Sequence, residues 1–431
     1  MTNQNEKYGY YKDENGNDEF ELSPYQQTFL DYRINHDASL FVCMGLRIRG
    51  KFNLEKFGKV INEVHQDYDA YRMRFVKKDD RYVYKIYNQY DFEFERVEVE
   101  GKDPEEKYAN AQKDAYQKLR EKIDIFNKNG ARYVLYELGH QDIFLVIIHD
   151  HIISDADTMD VVMNRVMFKY LNLGLLAKKQ KVSSHEYTQM QRANCLTAEG
   201  KEDLEYWKEQ LKDYVPLPMR EPLNPIDECQ DNFYHRTYER KPMEDQARTM
   251  GSSAANMFAA ACHLALMNLY KRDDTILSVV SSDRGRRYRN TVGVIVKCLE
   301  NRMRIDDGEE TLAEFLKRVT YKTSENFSHK DAHYIRDLST MYTFFELNVK
   351  DVEKPINIHI WLPQENVMLR CFNIIVMAYP DRLEFAPSFS LLTVDREEGN
   401  SVCETILKVI DLYMTAPETK LKEVVSFLQD K

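Results

Sequence analysis

Apolar residues at Leu54, Phe57, Val60, Ile61 and Val64 recur with a helical period, whereas Leu40–Arg49 alternates in the two-residue rhythm of a half-buried strand. Tyr82–Tyr87 and Phe92–Val99 also read as strands. A long charged helix is predicted over Pro104–Ile125, with Asp103 as its cap and proline in its first turn. Two strands follow, Arg132–Leu138 and Asp142–Ile148, and the run Ile143–Ile148 is apolar on both faces, as a central strand requires. Beyond it, Met159, Val162, Met163, Val166, Met167 and Tyr170 mark a further helix. The later chain repeats these ingredients. Ala254–Tyr270 is apolar nearly all round and must be buried, Ile276–Val280 and Met303–Ile305 suit strands, and Thr311–Phe327 suits an amphipathic helix. Strands at Tyr342–Val349, Ile356–Trp361, Leu369–Ala378 and Arg382–Pro387 precede helices at Ser401–Met414 and Glu418–Leu428. The expected fold class is α/β with mixed sheets, in two lobes of similar make-up. The stretch Gly174–Ser184 is the natural boundary and gives lobes 1–178 and 179–431.

Composition narrows the class. A chain of 431 residues exceeds what one core usually organises, and 43% apolar residues are enough to fill two. Met1–Phe20 is polar, unlike a secretory signal, and no apolar run approaches the length of a membrane span. The seven cysteines are scattered and never in Cys-x-x-Cys spacing, which suits a reducing cytoplasm better than a disulfide frame. A formal charge of −11 opposes binding to nucleic acid or an anionic membrane. Arg284, Arg286, Arg287 and Arg289 form a local basic cluster, as do Lys178, Lys179 and Lys181, and each reads first as a solvated charged face. With only 15 glycines, the chain has no phosphate loop, dinucleotide fingerprint or serine nucleophile elbow.

The chemistry concentrates where the apolar strand ends, at Asp150-His151-Ile152-Ile153-Ser154-Asp155-Ala156. A strand end can hold an imidazole in a cleft, and its ordinary pKa near neutrality suits general-base work on an amine or hydroxyl. His149 with His151 and Asp155 superficially offers a metal set, but no second paired element accompanies it. No metal is expected, and His149 is expected to lie buried under the strand. Asp155 also stands where a helix cap would.

That heptad resembles the His-His-x-x-x-Asp-Gly signature of condensation domains, the amide-forming units of nonribosomal peptide synthetases and relatives of chloramphenicol acetyltransferase. Asp150 stands for the first histidine and Ala156 for the glycine, while His151 and Asp155 match. Other motifs recur in the family's order. Leu22-Ser23-Pro24-Tyr25-Gln26 is similar to Leu-Ser-x-x-Gln, and Tyr68-Asp69-Ala70-Tyr71-Arg72-Met73-Arg74-Phe75 to His-Glu-x-Leu-Arg-Thr-x-Phe. Glu186-Tyr187 stands for Asp-Tyr, and Tyr206-Trp207 opens the Tyr-Trp-x-x-x-Leu helix. Gly285-Arg286 with Val292-Gly293-Val294-Ile295-Val296 resembles Gly-Arg…Ile-Gly-x-Phe-Val, with Lys297 and Cys298 replacing Asn-Thr. His329-Lys330-Asp331 and Arg336-Asp337-Leu338-Ser339 complete the series.

The resemblance implies two chloramphenicol-acetyltransferase-like lobes in a V, with the active site in a tunnel between them. It assigns His151 to orienting the amine, accepting its proton or stabilising the tetrahedral intermediate. It makes Asp155 a structural residue paired with Arg72. The departures leave Asp150, Ala156 and Thr158 as further active-site candidates: Asp150, Asp155 and Thr158 fit the Asp-x-x-x-x-Asp-x-x-Ser pattern of heterocyclisation domains, though the retained His151 favours simple condensation. The implied partners are acyl or peptidyl carrier proteins acting in trans and an amine acceptor. The carrier brings 4′-phosphopantetheine, no cofactor is bound permanently, and the arginine cluster is a docking candidate. A monomeric, amide-forming acyltransferase is the expectation. The alternatives are a heterocyclisation enzyme, a coenzyme A-dependent acyltransferase, or a degenerate module that only docks carriers.

Overall fold

A computed structural model describes residues 10–12, 18–36, 40–90, 92–173, 180–217, 232–233, 235–332, 334–335, 339–346, 356–363, 372–389 and 394–425. The fold is mixed α/β and divides into two compact units. The first comprises Met1–Leu196, Ser282–Val296 and Val349–Pro363, and the second Thr197–Ser281, Lys297–Asn348 and Gln364–Lys431.

In the first unit a five-stranded sheet runs in the order Asn357–Trp361, Phe41–Arg49, Asp142–Asp150, Ala131–Gly139, Glu95–Val97. The strand Asp142–Asp150 is paired on both sides, and its apolar residues from Phe144 to Ile148 are buried, as their lack of alternation demands. The outermost strand arrives from far along the chain and sets Trp361 opposite Gly45. A side chain at Gly45 would lie 2.6 Å from the Trp361 ring and 2.7 Å from Phe144, so only glycine lets both aromatics pack there. Helix Leu54–Gln66 buries Phe57, Val60, Ile61 and Val64, the stripe its periodicity marks out. Asp103 caps helix Pro104–Arg120, accepting from the amides of Glu105 and Glu106. That helix ends before the predicted Ile125, and the strand expected over Phe92–Val99 shrinks to Glu95–Val97. A smaller four-stranded sheet holds Tyr10–Lys12, Asp18–Glu21, Arg81–Ile86 and Met73–Lys78.

The second unit has a seven-stranded mixed sheet. Its order is Arg236–Glu239, Arg382–Phe389, Phe372–Ala378, Thr340–Glu346, Asp274–Ser282, Val296–Arg304, with Asn232–Phe233 beside the second of these. Helix Ala254–Tyr270 is buried over most of its length among Leu312–Ser328 and Arg396–Thr415. The Tyr-Trp motif has a structural explanation here. Trp207 donates from Nε1 to the carbonyl of His329 at 2.8 Å, and Tyr206 donates to Asn326 at 2.8 Å, so helix Ala198–Gln210 clamps the end of helix Leu312–Ser328.

Among the described residues no helix is long and apolar enough to cross a membrane, and Cys43, Cys262 and Cys403 are free thiols. Lys178 and Lys179, most of Arg336–Ser339, and the stretch in which the lobe boundary was expected up to Lys179 lie outside the described residues.

Candidate active site

The strand Asp142–Asp150 ends in a tight turn that carries His151. The His151 amide donates to the Leu40 carbonyl at 2.8 Å, and the Ile153 amide closes back on the Asp150 carbonyl at 3.1 Å. Asp150 also accepts from the Ile152 amide at 3.1 Å and pairs with Arg33 at 2.6 Å. Burial pushes the Asp150 carboxyl up to about 6, although the Arg33 guanidinium opposes that rise. Asp150 is therefore a buried brace for the turn and does not lie open to a reactant.

The His151 ring lies against Phe29, with centroids 4.6 Å apart. Its Nδ1 is enclosed without a hydrogen-bond partner, and the residue as a whole is only partly buried. Burial lowers its pKa, while the Asp155 carboxylate and the carbonyls of His151 and Ser154 oppose the shift. Near neutral pH the imidazole is thus uncharged and can accept a proton.

Helix Pro24–His36, which brings Phe29 and Arg33, begins with a reciprocal cap. The Gln26 amide donates to Ser23 Oγ at 3.1 Å and the Ser23 amide to Gln26 Oε1 at 3.0 Å, while Gln26 Nε2 reaches the Ile152 carbonyl at 3.4 Å. The Leu-Ser-x-x-Gln pattern is therefore a capping device tied to the turn that carries His151. Asp69, in the next motif, accepts from the amides of Ser184 and His185 at 3.1 and 2.7 Å and so caps the helix that carries Glu186-Tyr187.

Asp155 is fully buried. One carboxylate oxygen accepts the Thr158 amide at 2.8 Å, capping helix Ala156–Tyr170, and the other accepts the Ile295 amide at 2.8 Å. Its ion-pair partner is Arg284, not Arg72. Arg284 also donates to Thr158 Oγ1 at 2.9 Å and to the Thr291 carbonyl. Arg72 instead donates to the Tyr87 carbonyl at 2.6 Å, facing a different part of the unit. Two expectations are corrected together: Arg72 does not hold Asp155, and Arg284, only 9% exposed, cannot belong to a docking face. Arg286, Arg287 and Arg289 are exposed.

Thr158 donates to the Gly293 carbonyl at 2.9 Å and accepts its amide at 3.1 Å, so its hydroxyl is engaged in fixing the loop after Arg284. Gly293 has φ +149°, and a Cβ there would lie 2.4 Å from Ser184 Oγ, which explains a glycine at this point of the motif. Ala156 is exposed at the start of its helix. Lys297 is buried, 3.9 Å from Asp331, and burial pushes the Cys298 thiol up to about 12, leaving it a poor nucleophile. His149 is buried, as expected, and among the described residues no cluster of His, Cys, Asp and Glu has a metal-binding arrangement.

The sequence pattern of the condensation-domain family matches residues 17–339. This chain belongs to the condensation-domain family. Condensation domains transfer acyl groups to form amides. This condensation domain is 22% identical over 329 residues to enniatin synthase of Fusarium equiseti, an alignment covering 73% of this chain and 10% of the synthase. The chain spans about a tenth of that relative's length. Among solved structures it is similar to the first condensation domain of the calcium-dependent antibiotic synthetase in complex with a substrate analogue, with TM-score 0.75 and 14% identity, covering 94% of this chain and 98% of that one. It is similar also to a mutant starter condensation domain of rhizomide synthetase in complex with C8-CoA, with TM-score 0.76 and 14% identity, covering 94% and 96%.

Proposed function

We propose that this chain joins an acyl or aminoacyl thioester, carried on the 4′-phosphopantetheine of a carrier protein in trans, to an amine. The observation that carries the reading is His151: a partly buried imidazole on a braced turn, held uncharged by its burial. A neutral amine attacks the thioester carbon and its proton passes to Nε2. The tetrahedral oxyanion then collapses, the carbon–sulfur bond breaks, and the departing thiolate takes the proton back from the imidazolium. Amide and free pantetheine thiol are the products. Much of the gain comes from holding amine and carbonyl together, to which a proton acceptor adds roughly 10²–10⁴-fold. The pantetheine arm enters with the carrier as part of the substrate.

Asp155 and Arg284 hold the turn from behind and do not meet the reactants. Asp150, Asp155 and Thr158, the residues of the heterocyclisation pattern, are all buried and engaged, which removes support for that alternative. Docking of an acidic carrier falls to the exposed Arg286, Arg287 and Arg289. A coenzyme A-borne acyl group is the second reading, because the similar rhizomide starter domain was captured with C8-CoA.

The test is single-turnover product formation from a loaded carrier and from the matching acyl-coenzyme A, side by side. His151→Ala should lower the rate roughly 10²-fold or more with either donor, and undiminished turnover would remove the role. Charge reversal at Arg286, Arg287 and Arg289 should raise KM for the loaded carrier alone.

A further inference from the structure

Behind the catalytic turn the first unit encloses a cluster of polar rings. His65 comes from helix Leu54–Gln66, Tyr71 from a 3-10 turn at Asp69–Arg72, Tyr133 from strand Ala131–Gly139, and His149 from the strand that delivers His151, with Tyr90 beside them. All are buried. His65 stacks on Tyr71 with centroids 3.8 Å apart.

The polar atoms form one continuous chain. His65 Nε2 lies 2.7 Å from the Tyr133 hydroxyl, which lies 3.3 Å from His149 Nε2. On the other side of that ring, His149 Nδ1 lies 3.2 Å from Ser154 Oγ and 3.4 Å from the Tyr71 hydroxyl. Ser154 in turn donates to the carbonyl of Asp155 at 3.3 Å.

Counting donors gives the chain a direction. A carbonyl only accepts, so with the Ser154 hydrogen pointing to Asp155 its lone pair faces His149 Nδ1, which then carries a hydrogen shared with the Tyr71 oxygen. A neutral His149 then has a bare Nε2 that accepts from Tyr133, and the Tyr133 oxygen accepts from His65 Nε2–H. That leaves the bare Nδ1 of His65 as the atom with no partner, and it is indeed enclosed and unpartnered. The opposite direction would bury an unmatched N–H on His65, whereas this one leaves the Tyr71 hydroxyl hydrogen unmatched; the Ser154 bond to the Asp155 carbonyl is what favours the direction given.

We propose that this relay, running from His65 through Tyr133 and His149 to Ser154, is the positioning device of the catalytic turn. It fixes the turn from Asp150 to Asp155 at its inner side, opposite the Asp155–Arg284 lock, and so sets the orientation of the His151 ring. His149 and Tyr133 are positioning residues that act through Ser154. Their effect on catalysis rests on the reading of His151 given above, whereas the relay itself does not.

The experiment has two arms. In the full chain labelled with ¹⁵N-histidine, two-bond nitrogen–proton spectra should show His149 as the Nδ1–H tautomer and His65 as the Nε2–H tautomer, neither titrating between pH 5 and 8. Opposite tautomers, or titration of either ring in that range, would overturn the relay whatever His151 does. In the second arm, Ser154→Ala and His149→Leu should lower kcat roughly 10- to 100-fold with KM little changed, and shift the pH dependence of His151 carbethoxylation. His149→Asn, whose side-chain amide can stand where Nδ1–H stood, should restore much of kcat. Normal kcat and normal His151 reactivity in Ser154→Ala would overturn the positioning role. An active His151→Ala would instead sink the reading of the site and leave the tautomers to be judged on their own. Should His149→Leu fail to fold, the spectra of the unaltered chain and the Ser154 variant still decide.

Discussion

Arg284 and Asp155 are the residues on which the loop's stability turns, with side chains 9% and 1% exposed. Removing one partner of such a pair leaves a charge stranded away from water, at a cost of about 3–5 kcal/mol. Arg284→Ala should therefore lower the free energy of unfolding in urea by about that amount. Arg72→Ala, which loses one bond to a carbonyl at a part-exposed site, should cost about 1 kcal/mol. Equal losses in the two variants would contradict the assignment. Asp155 is legible in the sequence as a helix cap, because capping is local and Thr158 stands three positions on. Its charged partner is not legible, since Arg284 lies 129 residues later and nothing local distinguishes it from its three exposed neighbours. The polar relay escapes the sequence for the same reason. His149 reads as a buried histidine, but His65 and Tyr133 meet it only through tertiary packing.

Helices whose apolar run is bounded by a cap at its start are legible almost to the residue, whereas the helix expected over Ser401–Met414 begins earlier, at Arg396, behind the Asp395 cap. Ala254–Tyr270 matches its predicted span because Ser253 caps it and its apolar run ends at Tyr270. Met303–Ile305 understates a strand that starts at Val296, since the buried polar residues Lys297, Glu300 and Asn301 hide its character. Partners are another matter: Ile356–Trp361 reads as a strand, but its neighbour Phe41–Arg49 does not follow from its sequence. The buried helix carries a pH dependence of its own. His263 binds Thr275 through Nδ1 at 2.9 Å, has its Nε2 enclosed without a partner, and is pushed by burial down to about 3. An imidazole with a lowered folded-state pKa contributes stability above its unfolded value near 6.5, and that contribution is lost as pH falls toward the folded value. His65 and His149 are shifted in the same direction. Urea unfolding at pH 7, 6 and 5 should show stability falling with acid. In His263→Leu the slope below pH 6 should be shallower by about 1.4 kcal/mol per pH unit, one proton's worth. An unchanged slope would mean that this ring is not held neutral by its helix.

At the scale of the whole chain, each unit is assembled from segments distant in sequence. Ser282–Val296 and Val349–Pro363 return to the first unit, one bringing Arg284 and Gly293, the other the edge strand beside Phe41–Arg49. A fragment comprising residues 1–281 should therefore be deficient on two counts: the Asp155 carboxylate is stranded, and the pairing edge of strand Phe41–Arg49 is bare. Its amides should exchange with solvent rapidly throughout the strand Asp142–Asp150, whereas in the full chain they should be among the slowest. Slow exchange in the fragment would show that the returning segments are dispensable.

Because the lock on the His151 turn joins Asp155 to Arg284, the parts of one local assembly are written on either side of a long intervening stretch. Chimaeras that recombine this chain with a homologue at a seam between those positions would pair one parent's carboxylate with the other's guanidinium loop. Such hybrids should be inactive unless both parents share that register, so workable crossover points lie before Asp155 or after Ile295.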